Sequence, residues 1–189
     1  LPRRGYVAHG QFGTSTIETL ATWAGPASQK LFGIGGGTLA EFTSGSPGGS
    51  LLTGLSNARF QKIEFANTGG NWLLICNGSD GPYKYDGSNW SVAAITGDGF
   101  GAESFETVTE YKGRLWFTIS GTTQAAFLEP DSIQGQATSF EVGQNFNFGG
   151  YLQAIGTWMI DSQGGPLDLL CFMSSNGEVA IYNGTDPTQ

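Results

Sequence analysis

Apolar and polar positions follow one another in short blocks along this chain, and the clearest block is LLCFMSSNGEVAIYNGTDP at residues 169–187. Side chains on a strand alternate between faces, and Asn-Gly supplies the positive-φ geometry of a tight turn. The apolar arm 169–173, the Ser-Ser-Asn-Gly turn at 174–177 and the alternating arm 178–182 therefore predict a β-hairpin. Three further stretches have the same shape: KLFGIGGGTLAEFT (30–43), NWLLICNGSDGPYKYDG (71–87) and GRLWFTISGTTQAAFLEP (113–130). Their first apolar anchors, Leu31, Leu73, Leu115 and Leu169, stand 42, 42 and 54 residues apart.

A strand-like run precedes each hairpin, at 17–23, 60–66, 105–111 and 151–160. Outer strands are expected after three of them, at 50–52, 90–95 and 139–142. Four short antiparallel strands per unit of about 40–45 residues is the arithmetic of a β-propeller blade. The expected fold is all-β and β-propeller-like: one domain over residues 1–189, with about four blades at roughly 11–57, 58–102, 103–148 and 149–189. The runs LLIC, RLWF and LLCF are apolar at successive positions, as strands covered on both faces require. Leu115, Trp116 and Phe117, and likewise Leu169, Leu170 and Phe172, are expected between blades. No outer strand follows Gly184 in the fourth unit. Either Tyr6-Val7-Ala8 supplies it, closing the last blade, or the chain is a portion of a larger propeller.

Composition agrees with this reading. The chain has 189 residues, of which 31 are Gly and only 13% are charged, which suits turns more than long helices. The formal charge of −8 disfavours a surface built to neutralise phosphates. Asp98, Glu103, Glu106 and Glu110 form an acidic run with no basic residue before Lys112. Cys76 and Cys171 occupy matching places in LLIC and LLCF, where buried free thiols are expected and no CxxC indicates a metal. No apolar run approaches the eighteen or so residues of a helical membrane span.

Candidate chemistry is sparse. His9 is the single histidine, and no HExxH, HxH or GxSxG accompanies it. The turn NGSDGPYKY at 77–85 resembles an Asp-box turn, and Asp80 and Asp86 offer oxygens, yet the DxDxDG spacing of a calcium loop is missing. These side chains read as turn formers that bond their own backbone. A sialidase would need an arginine clamp, for which only Arg3, Arg4, Arg59 and Arg114 exist. GIGGG (33–37) and GDGFG (97–101) match no phosphate loop. Tyr83, Tyr85, Trp90, Trp158 and Tyr182 would stack on sugars if they shared one surface; cross-strand packing is the competing role. No catalytic, cofactor-binding or metal-ligating residue is assigned.

YKGRLWF (111–117), LEPDSIQGQATSFEVG (128–143), GGYLQAIGTWMIDSQGGPLDLLCFMSSNGEVAIYNGTDP (149–187), PRRGY (2–6) and FANTGGNWLLICNG (65–78) together resemble structural proteins of tailed bacteriophages. Those proteins are similar in turn to the propeller-bearing nozzle, or tail tubular, components of short-tailed phages. The resemblance implies a non-enzymatic virion component of the tail, in the nozzle or head-to-tail region. It also implies a homo-oligomeric ring that touches neighbouring tail or adaptor proteins and lets DNA pass through without specific binding. Chains of that class are much longer than this one. The other expectation, from a different class, is a carbohydrate-binding, lectin-like propeller using the loop aromatics.

Overall fold

A computed structural model describes residues 7–162 and 164–188 of the chain. The described residues form strands, turns and two 3-10 turns, with no α-helix. The strands fall into four small sheets, and the fold is all-β and β-propeller-like. The first sheet holds β1 (Thr19–Ala24), β2 (Gln29–Gly35), β3 (Thr38–Glu41) and β4 (Ser50–Thr53) in that order. The second holds β5 (Gln61–Asn67), β6 (Gly70–Cys76), β7 (Tyr83–Tyr85) and β8 (Trp90–Val92).

A short strand β9 (Ile95–Gly97) follows. It leaves the second sheet and joins the third, whose order is β10 (Phe105–Tyr111), β11 (Arg114–Ile119), β12 (Gln124–Phe127), β13 (Gly135–Glu141) and then β9. The fourth sheet has three strands, β14 (Leu152–Ser162), β15 (Gly165–Ser174) and β16 (Val179–Tyr182). Every pairing is antiparallel except β13 with β9, where Gly135 faces Ile95. The chain divides into two compact units, Leu1–Arg59 and Phe60–Gln189. The first contains the first sheet, and the second contains the other three.

In the first unit, Phe32 and Ile34 of β2 and Leu39 of β3 are fully buried. The opposite face of β2 carries Gly33 and Gly35, and there the chain's own early segment lies against the sheet. A Cβ on Gly35 would stand 2.1 Å from the Thr16 carbonyl oxygen, so only glycine admits this approach. Phe12 meets Phe42 edge to face at 5.5 Å, and His9 donates from Nε2 to the Phe42 carbonyl at 2.8 Å.

The second unit shows how an apolar run is covered on both sides. In β11, Leu115, Phe117 and Ile119 join Leu74 and Cys76 of β6 in one core. The intervening Trp116 joins Leu170 and Phe172 of β15 in another. Burial at successive positions follows from period-two alternation between two neighbouring sheets. Phe117 stacks on Phe105 at 4.3 Å, and Trp116 lies between Phe127, Phe140 and Phe172. Thr118 shares the Trp116 side and is fully buried. Its hydroxyl accepts from the Thr107 N–H at 3.1 Å and bonds the Thr107 hydroxyl at 3.0 Å, satisfying the place where β10 slips register.

Three expectations shift at their edges. The run 90–95 is two strands, because the chain turns at Ala93 and Ala94 and Ile95 pairs with another sheet. The outer strand of the third unit begins earlier, at Gly135, since β9 supplies a partner for its first residues. Tyr6 of the expected closing strand lies outside the described residues, while Val7 and Ala8 are exposed and in no strand.

Candidate functional site

The first strands of the three sheets in the second unit, β5, β10 and β14, lie side by side. The innermost strands of a propeller border its central channel, so the side chains along these three strands set the character of that wall. Acidic side chains outnumber basic ones along it: Glu64, Glu106, Glu110 and Asp161 against Lys62.

At one end of β5 and β10 a notch of about 440 Å³ opens. Ile63, Glu64, Phe65 and Ala66 of β5 line it together with Glu110, Gly113, Pro130 and Asp131. Asp131 sits in the left-handed region at φ 63°, a conformation that Asp tolerates better than most residues. Three bonds fix it there. Its N–H donates to the Gly113 carbonyl at 2.9 Å, its own carbonyl accepts from Asn67 Nδ2 at 2.8 Å, and its Oδ2 accepts from the Thr68 hydroxyl at 3.0 Å. Glu110 Oε1 accepts from the Gly113 N–H at 2.7 Å and closes the β10–β11 turn. Glu110 and Asp131 thus hold turns in place while giving the notch a negative potential.

The acidic run read from the sequence does not converge. Glu106 and Glu110 lie four residues apart on a strand, which separates them by about 13 Å. Glu103 is exposed in the 3-10 turn Ala102–Ser104 and Asp98 in the turn after β9. Glu64 and Asp131 share the notch with Glu110 in their stead, a grouping that depends on how neighbouring sheets pack and leaves no local mark.

Other singled-out residues have structural partners. Asn77 Oδ1 accepts from the Ser79 and Asp80 N–H groups at 3.1 and 2.8 Å, and its Nδ2 donates to Asp80 Oδ2 at 2.7 Å. Asp86 Oδ1 accepts from Ser88 and Asn89, both at 2.7 Å. The N–H groups of Asn89 and then Ser88 hold the Asp86 carboxyl below the usual carboxylate range. Arg114 pairs with Glu129 at 3.2 Å, and Arg59 with Glu18 at 3.3 Å; Arg3 and Arg4 lie outside the described residues. Cys76 is fully buried, and burial followed by the nearby Glu106 charge pushes its thiol far up; Cys171 is half-buried. Neither cysteine is bonded to the other. Among the described residues no group of three or more His, Cys, Asp or Glu is placed to hold a metal ion.

The aromatics do not share a platform. Tyr85 is buried against Trp90 at 5.3 Å within the second sheet, with Tyr83 on the same strand. Tyr182 belongs to the core around Trp116, and Trp158, half-exposed, projects from the fourth sheet.

The turn at 174–178 acts as a clamp. The Ser174 hydroxyl accepts from the Asn176 and Glu178 N–H groups. Both Glu178 carboxylate oxygens accept backbone N–H groups, from Asn147 at 2.8 Å and Phe148 at 2.7 Å. Asn176 Nδ2 donates to the Phe148 carbonyl at 2.7 Å. The turn therefore fixes the segment that enters β14.

No family model matches the chain, and no curated protein matches it. A solved structure, BBS1N in complex with ARL6DN, is similar in fold, with a TM-score of 0.56 at 10% identity. The match covers 93% of this chain and 54% of that one, so the chain spans about half the length of the structure it resembles. That neighbour contains a β-propeller domain, and at this identity the likeness establishes the fold alone.

Proposed function

We propose that this chain is a non-enzymatic structural protein of a phage tail, in the nozzle or head-to-tail region, where a ring of copies lines the path of ejected DNA. The observation that carries the proposal is the acidic excess along β5, β10 and β14, together with a net charge of −8. A conduit for a polyanion works best when its wall repels phosphates, because each basic contact would release counterions and hold the DNA in place. The long stretches of sequence that resemble tailed-phage structural proteins point the same way. A propeller-like fold fits the propeller-bearing components of that class. The partners of this reading are further copies of the chain and the adjoining tail or adaptor proteins, and its place is the virion.

Negative-stain microscopy and native mass spectrometry of the purified chain test the reading. A closed ring of identical subunits around an open centre is expected, with no retention of duplex DNA at low salt. A chain that stays monomeric at every concentration, or that binds DNA with a steep salt dependence, overturns it.

A further inference from the structure

Three Asn-Gly pairs occur in the chain, at 77–78, 176–177 and 183–184. An asparagine before glycine can lose its side-chain amide in water alone, because the glycine has no Cβ to keep its nitrogen from the Asn Cγ. The reacting pair is the same in all three places, so differences between them come from the fold.

The first pair is locked. Asn77 is buried, its Oδ1 and Nδ2 are both bonded within its own turn, and the Gly78 N–H donates to the Phe105 carbonyl at 2.8 Å. The second is held at both reacting groups: Asn176 Nδ2 donates to the Phe148 carbonyl at 2.7 Å, and the Gly177 N–H donates to the Ser174 carbonyl at 3.1 Å. The third is not. Asn183 is exposed, and among the described residues no hydrogen bond holds its side chain or the Gly184 N–H. The matching corner of the second sheet, Tyr85-Asp86-Gly87-Ser88-Asn89, keeps Asp86 exposed although β8 follows directly, so a further strand leaves such a corner open. One charged group stands at the third pair. Lys112, in the turn between β10 and β11, donates from Nζ to the Gly184 carbonyl at 3.3 Å. Its ammonium therefore lies near the amide nitrogen that must lose a proton to react, and a nearby cation favours the anionic form.

We propose that Asn183-Gly184, with Lys112 beside it, is a self-modification site at which the native chain converts Asn183 to aspartate or isoaspartate. The Gly184 nitrogen gives its proton to hydroxide and attacks Asn183 Cγ. The adduct takes a proton from water, expels the side-chain nitrogen as ammonia and leaves a five-membered succinimide. Water then adds to one of the two imide carbonyls, and the C–N bond that breaks decides between aspartate and isoaspartate; nothing is oxidised or reduced. The product carries a carboxylate where the second sheet already has Asp86, one residue from the carbonyl that holds Lys112. Lys112 is thus placed to pair with it and to tie the third sheet to the fourth. This does not depend on the tail reading above.

The test ages the intact chain in warm, mildly alkaline buffer of low ionic strength and follows each Asn-Gly pair by peptide mass spectrometry. Two hydrogen bonds of ordinary strength restrain Asn176-Gly177, so Asn183 should convert at least about tenfold faster than Asn176, with Asn77 intact. In the chain unfolded in guanidinium chloride the three rates should converge. Lys112→Gln should slow Asn183 by about two- to fivefold, the reach of an exposed charge contact, and leave Asn176 unchanged. An unchanged circular dichroism spectrum checks that this variant folds. Native conversion of Asn176 as fast as that of Asn183 overturns the proposal. A ranking that survives unfolding overturns it too, as does an Asn183 rate that Lys112→Gln leaves unaltered.

Discussion

The third and fourth sheets begin alike and finish differently. Each opens with a first strand, an apolar second strand and a tight turn. β11 is covered on both faces, with Leu115, Phe117 and Ile119 towards the second sheet and Trp116 towards the fourth. β15 is covered on one face by the core around Leu170 and Phe172. Its other face, with Leu169, Cys171 and Met173, pairs with the half-exposed Trp158, Val179 and Ile181 of the adjoining strands. The third sheet carries five strands and the fourth three. Similar hairpins therefore differ in what surrounds them: the apolar run is buried at every position from Leu115 to Ile119 in β11, whereas in β15 Leu169, Leu170 and Phe172 are buried and Cys171 and Met173 only partly so.

The largest expected effect comes from opening the covered sheet. Phe117→Ala should destabilise the chain by about 3–5 kcal/mol and Leu115→Ala by about 2–5, through lost burial and the cavity left behind. Trp158→Ala, on the open face, should cost about 1 kcal/mol or less. Urea unfolding measures all three, and a Trp158→Ala cost equal to that of Phe117→Ala would abolish the distinction.

The clamp that fixes the fourth sheet ranks next. Glu178→Ala removes two charge-assisted bonds to the Asn147 and Phe148 amides, and a loss of about 1–3 kcal/mol is expected. Faster amide exchange at those two residues would show that the loss is local.

Thiol reactivity sharpens the same contrast. In the native chain Cys171 should react with a disulfide reagent, while Cys76, buried and held as the neutral thiol, should react only after unfolding. Equal native rates would contradict the burial pattern.

Smallest is a pH effect in the second sheet. The depressed pKa of Asp86 means that its contribution is present above the unfolded value, about 3.9, and is lost as pH falls through the lower folded value. Amides of Ser88 and Asn89 should lose protection in that acid window, and Asp86→Asn should remove most of the change.

Much of this architecture is legible in the sequence because period-two alternation and glycine turns are local. The expected strand at 105–111 coincides with β10, and all four hairpins form where their turns predict. What local pattern does not carry is long-range pairing. β9 reads as the tail of the strand containing Trp90, and only the parallel partner β13 draws Ile95 into another sheet. Likewise Glu110 reads as one of a run with Asp98, Glu103 and Glu106, while the strand geometry spreads that run and the packing of neighbouring sheets lets Glu110 share a notch with Glu64 and Asp131. That Cys171 in LLCF is only half-buried while every apolar residue of RLWF is buried is equally a matter of neighbours, which alternation alone does not specify.

Hydrogen–deuterium exchange followed residue by residue on β12 and β16 tests the contrast most directly. Paired on both sides, the β12 amides of Ala125–Phe127 should all exchange slowly. On β16, Val179–Tyr182, the amides directed at β15 should be protected and those on the outer edge should exchange rapidly. Uniform slow exchange along β16 would show its edge already covered and would contradict the account.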